Sequence, residues 1–269
     1  MKMDSGFQDL ILHLLVLLLY ILNVGAGNVP INQQKILACA ECCYPYDCCD
    51  VYSQGFHSDG VYLIVPGGKY SQPVHVYCDM TTPGGPWTVF QKRFNGLVDF
   101  YRGWDEYENG FGRADGEYWL GLRNIHQLTQ RKPYRLRVQL EDFEKNTRFV
   151  TYESFFLSQF AIYPPEQQYK LNVDGFKEGD PSNPVGNALE WANNMYFSTY
   201  DRDRDTYPES CAVVYHGAFW YSVCHRANLN GKYLNGSTSE YATGMVWSLW
   251  KGYYYSLKRS EMKMACVSQ

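Results

Sequence analysis

The feature that most restricts the fold of this chain is its set of nine cysteines. Five fall within residues 39–49, and the other four are widely spaced, at Cys78, Cys211, Cys224 and Cys266. This usage is typical of an oxidising compartment, where disulfides form and persist. Because the number is odd, at least one cysteine remains for another chain or stays a free thiol.

The N-terminus predicts export of the chain. Lys2 precedes an apolar run at residues 10–22, and small residues follow at 23–27. This order is typical of a secretory signal peptide, which we place at residues 1–27. The alternative is a membrane anchor, but the run is shorter than the roughly 20 residues that a spanning helix needs, and His13 interrupts it. We therefore expect a secreted protein of the extracellular matrix without a membrane span.

Residues 28–44 are interpreted as a cysteine-rich oligomerisation linker, followed by one domain at residues 45–269. The linker has neither a collagen repeat nor heptads, so Cys39, Cys42 and Cys43 are the candidates for interchain disulfides of a homo-oligomer. A zinc site is the alternative for such a cluster, but an oxidising compartment and the lack of a nearby histidine disfavour it. The net charge of −4 and the absence of any Lys/Arg run imply no nucleic-acid partner.

From Asp47 onward, strand and turn signals predict an antiparallel sheet with a few helices, an α+β fold. The alternation is clearest at residues 134–141, where Tyr134, Leu136, Val138 and Leu140 share one face. The remaining strands are expected near residues 61–65, 74–78, 87–94 and 148–157. Leu122, Ile125 and Leu128 fit a short helix that ends before Pro133.

After about residue 165 regular periodicity fades, and we expect a loop-rich region that needs a disulfide or a metal ion to stay ordered. Asp201, Asp203 and Asp205 alternate with arginines there, and oxygen ligands at this spacing suit calcium. The loop is not an EF-hand, because Thr206 and Ala212 stand where that motif needs Gly and Glu. From the spacing alone, a solvated charged loop with local Asp–Arg pairing is the favoured alternative.

Seven motifs follow one another in an order that resembles the fibrinogen C-terminal-like domain family over roughly residues 45–264. They are DC (47–48), SDGVY (58–62), VYCDM (76–80), WTVFQKR (87–93), FGRADGEYWLGL (111–122), CHRANLNG (224–231) and WKG (250–252), with the aspartate triplet between the fifth and the sixth. The resemblance implies a small N-terminal subdomain, a central antiparallel sheet flanked by helices, and a loop-rich, calcium-binding C-terminal subdomain.

The resemblance also implies two disulfides, Cys48–Cys78 and Cys211–Cys224. Cys49 departs from the family pattern, so either member of the adjacent pair could bond Cys78, and the partners of Cys49 and Cys266 stay open.

Carried over from the family, the Ca²⁺ ligands are the side chains of Asp203 and Asp205 with the carbonyls of Tyr207 and Glu209, and Asp201 has a supporting role. An acetyl-group pocket beside the ion is expected at four positions: Tyr215, His225, Tyr241 and Ala242. Aromatic rings would take the methyl group, and His or backbone groups the polar end. Many members of the family have a cis peptide before the Cys-His pair, here at Val223–Cys224. The alternative interpretation is that Tyr215 and Tyr241 only pack against neighbouring side chains and that His225 only forms a hydrogen bond with the backbone.

Two functions remain open on these grounds. One is a calcium-dependent, lectin-like protein that binds acetylated carbohydrates or other acetylated groups. The other is a structural protein of elastic microfibrils with elastin, fibrillin or collagen as partners, a role that the resemblance also implies; no Arg-Gly-Asp tripeptide supports integrin binding. An enzyme is not expected, because Cys224 should be in a disulfide and no hydrolase or phosphate-loop motif occurs. Asn235 begins the single Asn-x-Ser/Thr sequon and is the candidate glycosylation site.

Overall fold

A computed structural model describes residues 44–69, 71–158 and 169–267. Contacts divide the chain into two units, Met1–Tyr44 and Pro45–Gln269, and the architecture below belongs to the second. The expected signal peptide and the linker cysteines Cys39, Cys42 and Cys43 lie outside the described residues. Among the helices of the described ranges, none is long and apolar enough to cross a membrane.

The helices of the domain are short. They are α1 (Cys48–Ser53), α2 (Trp104–Asn109), α3 (Leu122–Thr129), α4 (Cys211–Val214) and α5 (Ser248–Lys251), with a 3-10 turn at Ala188–Trp191. The strands are β1 (Gly60–Ile64), β2 (Val74–Asp79), β3 (Trp87–Arg93), β4 (Phe111–Gly112), β5 (Tyr118–Trp119), β6 (Tyr134–Glu141), β7 (Thr147–Leu157), β8 (Leu171–Glu178), β9 (Ala227–Asn228), β10 (Gly236–Ser237), β11 (Val246–Trp247), β12 (Tyr255–Ser256) and β13 (Arg259–Cys266).

The main sheet has the strand order β1-β2-β3-β13-β6-β7-β8, and every pairing along it is antiparallel. Strand β5 pairs with β3 and with β4 beside this path. The helices and the long connections pack around the sheet, so the predicted α+β class is confirmed.

Strand β6 shows why alternation predicts a strand well. Its burial alternates residue by residue, and the predicted face of Tyr134, Leu136, Val138 and Leu140 is fully buried. The strand pairs with β7, placing Val138 opposite Val150. Because side chains of a strand point alternately to its two faces, one apolar stripe is enough to fix which face enters the core.

The predicted short helix is α3. Leu122, Ile125 and Leu128 are completely buried, and the helix is capped at Gln130, three residues before Pro133. This spacing of three residues places all three side chains on one face of the helix.

The expectation of irregular structure after residue 165 is wrong at two places, β8 and β13. Strand β13 lies in the middle of the sheet, between β3 and β6. Its sequence hides this position, because Lys263 interrupts the apolar run. In the structure, the Lys263 ammonium is buried and donates to Asp79 at 2.6 Å and to Gln139 at 3.2 Å. Only strands brought together from distant parts of the chain supply these partners, which a buried charge requires.

Residues between β8 and β13 form the loop-rich part of the domain, with elements of two to four residues. Large aromatic side chains organise it. The indole N–H of Trp220 donates to the Tyr169 carbonyl at 2.8 Å, and that of Trp247 donates to the Val185 carbonyl at 3.0 Å. Both rings are buried, so they anchor long connections to the core while their polar atoms are satisfied.

Three disulfides are present in the described residues. Two are the pairs that the family resemblance implies, Cys48–Cys78 and Cys211–Cys224. The third joins Cys49 to Cys266, 217 positions apart in the sequence. Adjacent residues of α1 are therefore bonded to β2 and to the end of β13, which closes the domain between its two ends.

Candidate functional site

Asp201, the first member of the aspartate triplet, is exposed to solvent, and its carboxylate is hydrogen-bonded to the start of α2. Its Oδ1 accepts hydrogen bonds from the Trp104 backbone N–H at 2.9 Å and from the Thr199 hydroxyl at 2.6 Å. Trp104 is the first residue of α2, whose cap position, Gly103, has no side chain to cap with. Asp201 thus supplies from a distant loop the negative charge that a helix N-terminus favours.

The two arginines of the triplet turn toward α2 as well. The guanidinium carbons of Arg202 and Arg204 lie 4.0 and 5.1 Å from the centroid of the Trp104 ring. Within the described ranges, none of the three aspartates forms a salt bridge. The loop is therefore not held by the Asp–Arg pairs that the alternative interpretation requires.

Asp203 and Asp205 lie close together at the other side of the loop. Asp205 Oδ1 accepts from the Tyr207 backbone N–H at 2.9 Å and its Oδ2 from the Cys211 N–H at 2.9 Å, while Asp203 Oδ1 accepts from the Asp205 N–H at 3.2 Å. Burial, together with the neighbouring Asp203 charge, raises the pKa of Asp205 to about 6. A cation between the two carboxylates would relieve this repulsion.

The donors around these carboxylates suit a hard cation. Among the described residues, no cluster of three or more His, Cys, Asp or Glu side chains is able to hold a metal ion. The expected ligand set contains only two such side chains, and its other protein ligands are the carbonyls of Tyr207 and Glu209. Neither carbonyl accepts a backbone hydrogen bond from the part of the chain that the structure describes. Two carboxylates and two free carbonyls fit calcium, which takes six to eight oxygens and accepts waters.

Helix α4 connects residues 201–209, here called the acidic loop, to the expected pocket. Ser210 caps its start, and Tyr215 occupies its C-cap position. The Cys211–Cys224 disulfide joins the first residue of α4 to the residue preceding His225. The Thr206 N–H also donates to the Ser222 carbonyl at 3.2 Å. The acidic loop is therefore linked to Tyr215 through α4 and to His225 through the disulfide.

The four residues expected to form the acetyl-group pocket lie together. The Tyr215 ring stands edge-on to His225 at 5.0 Å between centroids and lies 6.4 Å from Tyr241. Ala242 is held at φ 62° by its N–H, which donates to the Tyr253 carbonyl at 2.9 Å. Tyr241 is 48% exposed, so one wall of the cluster remains open to a ligand.

Sequence reasoning missed Tyr253. Its ring lies 5.3 Å from Tyr241 and 6.1 Å from His225, and its hydroxyl donates to the His225 carbonyl at 3.1 Å. It follows directly on the WKG motif, and the only signal in the sequence is a run of three tyrosines at 253–255. The sequence does not show which of these three tyrosines contributes its ring to the pocket.

His225 is the polar centre of the cluster. Its Nε2 lies 3.1 Å from the Ala242 carbonyl oxygen, while its Nδ1 is buried without a partner in the described residues. Burial lowers the pKa of His225 to about 4, so the ring is neutral at physiological pH. Because a carbonyl can only accept, Nε2 carries the proton and Nδ1 is a bare acceptor. A bare, buried acceptor among aromatic rings suits the N–H of an acetamido group.

The peptide bond between Val223 and Cys224 is trans, so the cis bond that the resemblance implies there is wrong. The cis bond found in the described ranges is Gly85–Pro86. Local pairing accompanies the trans form, because the Ser222 N–H donates to the Cys224 carbonyl at 2.9 Å. Asn235, the predicted glycosylation site, is exposed immediately before β10.

The sheet topology, the disulfides and the site together define a fibrinogen-type globular domain. The family model for the C-terminal globular domain of fibrinogen beta and gamma chains matches residues 44–267, and the chain belongs to this family.

Relatives within the family are similar over most of this chain. Microfibril-associated glycoprotein 4 of Homo sapiens is 56% identical over 220 residues, which is 82% of this chain and 84% of that protein. Fibrinogen C domain-containing protein 1 of Homo sapiens is 48% identical over 90% of this chain, which corresponds to 51% of that protein.

Solved structures agree with this assignment. The fibrinogen-like globe domain of human ANGPTL2 has a TM-score of 0.76 at 36% identity, covering 82% of this chain and 99% of that one. Lamprey fibrin D-dimer, complexed with the peptide ligand Gly-His-Arg-Pro-amide, has a TM-score of 0.75 at 31% identity, covering 98% of this chain and 85% of that one.

Proposed function

We propose that this protein is a secreted, calcium-dependent recognition protein that binds acetylated carbohydrates or other acetylated groups as a disulfide-linked oligomer. The observation that carries the proposal is the unpartnered Nδ1 of His225, whose ring is buried among Tyr215, Tyr221 and Tyr253. A buried acceptor without a donor is unfavourable by about 1–3 kcal/mol, which a ligand N–H would recover. The surrounding rings supply the apolar contact that the methyl group requires.

Calcium is assigned an organising role in this proposal. The ion would be held by the carboxylates of Asp203 and Asp205 and the carbonyls of Tyr207 and Glu209. When bound, it supplies positive charge that neutralises the two carboxylates. Asp205 already contacts the start of α4 through the Cys211 N–H, so an ordered loop stabilises the positions of both Tyr215 and His225.

The deciding experiment is retention on immobilised N-acetylglucosamine in calcium, beside a matched resin carrying unacetylated glucosamine. We expect retention only on the acetylated resin, with elution by EDTA and by free N-acetylglucosamine. A protein that binds calcium but passes through both resins equally would contradict the proposal.

A second candidate is a matrix protein that binds elastin, fibrillin or collagen without recognising sugars. The name of the relatives that are 56% identical over 82% of this chain, microfibril-associated glycoprotein 4, favours association with the extracellular matrix. Solid-phase binding to tropoelastin, fibrillin and collagen, with albumin as the control surface, tests this candidate. Binding that persists in EDTA and in excess N-acetylglucosamine would place matrix recognition outside the pocket and support the second function.

We also propose that the protein is not an enzyme. The pair that suggested a nucleophile, Cys224 beside His225, contains no free thiol, because Cys224 is bonded to Cys211. A disulfide sulfur does not act as a thiolate nucleophile. Turnover of any acyl substrate that disappears in His225→Gln would contradict this proposal.

A further inference from the structure

A second cavity lies beside the aromatic cluster. It measures about 380 Å³ and is lined in part by Asp99, Tyr101, His216, Lys232 and Tyr233. This volume is within the range of small-molecule sites, about 300–1,000 Å³. The acidic loop of residues 201–209 contributes no residue to its lining.

Two stretches of backbone run from the acetyl-group cluster directly into this cavity. Tyr215 belongs to the cluster, and the next residue, His216, lines the cavity. On the other side, Tyr241 and Ala242 lie between Glu240 and Thr243, and the Glu240 carboxylate accepts from Lys232 at 2.6 Å and from the Thr243 hydroxyl at 3.1 Å. The two sites are therefore neighbouring parts of one surface.

One wall of the cavity is aromatic and held in place. The Tyr101 ring lies between Tyr200, at 4.9 Å, and His216, at 5.3 Å. The hydroxyl of Tyr233 lies 2.9 Å from the Phe94 carbonyl and 3.0 Å from that of Lys258 and shares its one proton between them, which fixes the ring beside the cavity. Aromatic faces of this kind pack against the C–H face of a pyranose ring.

The loop that leads to Asp99 is preorganised by a buried carboxylate. Glu117 accepts four backbone hydrogen bonds, from Phe94, Asn95, Gly96 and Val98, at 2.7–3.0 Å. A wall that is already ordered reduces the entropy lost when a ligand binds.

Polar atoms remain available on this surface. Asp99 Oδ1 accepts from the Tyr101 N–H at 2.9 Å, while its second oxygen accepts nothing from the described residues. His216 also lines this surface and holds a positive φ of 50° that residues other than glycine seldom adopt, but its Nδ1 is buried and does not face the ligand. The Lys232 charge is balanced by Glu240. Acceptors beside aromatic faces, with little net positive charge, suit the hydroxyls of a neutral sugar rather than an acidic one.

From this arrangement we infer that the cavity is a subsite for a neutral hexose linked to the acetylated sugar, so that the protein reads an acetylated disaccharide rather than a single acetylated residue. The inference rests on the proposed acetyl-group binding. Asp99 accepts a hydrogen bond from a hydroxyl of the second sugar, and the exposed part of the aromatic wall formed by Tyr101 and Tyr233 packs against its C–H groups.

The test is calorimetric titration of the full-length protein in calcium with three probes that each carry one acetyl group. They are methyl N-acetylglucosaminide, N-acetyllactosamine, and N-acetylglucosamine linked β1-3 to galactose, so that the extra hexose projects from either end. We expect at least one disaccharide to bind about fivefold to tenfold more tightly than the monosaccharide.

Two variants locate the effect. Asp99→Asn and Tyr101→Ala should each reduce the preference for the disaccharide to below about twofold while leaving the affinity for the monosaccharide unchanged, because the first removes the free acceptor and the second the aromatic wall of the cavity, and neither residue belongs to the acetyl-group cluster. Asp105→Asn, at an exposed position of α2, is the matched control and should retain the preference. Melting temperatures verify that each variant is folded.

The outcomes separate the two proposals. Equal affinity of the wild-type protein for all three probes, or a preference that survives in both variants, overturns the subsite while acetyl binding stands. No binding of any probe overturns the acetyl-group function and the subsite with it.

Discussion

Asp205 Oδ2 accepts a hydrogen bond from the backbone N–H of Cys211 at 2.9 Å, which joins the acidic loop to the helix that positions Tyr215. Through the disulfide of Cys211 with Cys224, the same contact reaches His225. Loop order and pocket geometry are thus coupled by one residue pair.

Asp205→Asn tests this coupling. The amide has half the acceptor capacity of the carboxylate and no charge, so we expect calcium affinity to fall by about tenfold or more. Wild-type protein at a calcium concentration 100 times its Kd should gain about 2.7 kcal/mol of stability, measured by urea unfolding with and without EDTA. This gain should largely disappear in the variant and persist in Asp105→Asn. An undiminished gain in Asp205→Asn would place calcium elsewhere.

Tyr241→Ala should reduce binding of N-acetylglucosamine by about tenfold, because it removes an aromatic wall from the pocket. Tyr241 is half exposed, so the free energy of unfolding should change by less than about 1 kcal/mol. Tyr52→Ala, a tyrosine exposed to a similar degree on α1, is the control in the same calorimetric assay. Equal affinities of the two variants would contradict the assignment of the pocket.

His225 should make stability depend on pH. Its pKa is about 4 when folded and near 6.5 when unfolded, so between these values the unfolded state binds more protons. Stability from this group is therefore fully present above pH 6.5 and is lost as pH falls toward 4, by about 3 kcal/mol in total.

The measurement compares wild type with His225→Gln by urea unfolding at pH 7 and pH 4.5 in EDTA. The wild type should lose more stability than the variant over this range. Parallel losses would show that His225 is not buried in its neutral form.

We expect the cysteines to serve two functions, linking chains to one another and stabilising the domain. Six of the nine are paired within the described domain, which leaves Cys39, Cys42 and Cys43. Replacing these three by Ser should convert a reducible oligomer into a monomer on non-reducing gels. Cys49→Ser with Cys266→Ser should instead keep the oligomer and lower the free energy of unfolding by about 3–5 kcal/mol, because that bond closes a loop of more than 200 residues. Loss of the oligomer in the double variant would contradict this division.

Asn235 is exposed next to the short strand β10, and its glycosylation is a further prediction. Asn235→Gln should abolish the decrease in apparent mass that glycosidase treatment produces in protein secreted from animal cells. Ser237→Ala, which also removes the sequon, should behave identically. No mass change in the wild type would exclude use of the site.

Local patterns in the sequence were enough to predict strand β6, helix α3 and the protein family. Alternation over eight residues and a spacing of three are properties of single segments, and neither depends on distant partners. The family resemblance likewise implied that Tyr215, His225, Tyr241 and Ala242 belong together, and in the structure the four residues lie in one cluster.

Tertiary structure alone decided the features that depend on residues far apart in the chain. Strand β13 can lie at the centre of the sheet because the buried Lys263 pairs with Asp79 of β2 and Gln139 of β6, although its charge makes the strand hard to recognise in the sequence. Cys49 forms a disulfide with Cys266, 217 positions away in the sequence. Tyr253 lies in the pocket because its hydroxyl donates to the His225 carbonyl. The sequence alone determines which groups are present and how they alternate along each segment. The partner of a buried charge, of a thiol or of a pocket aromatic depends instead on which distant segments the fold brings into contact.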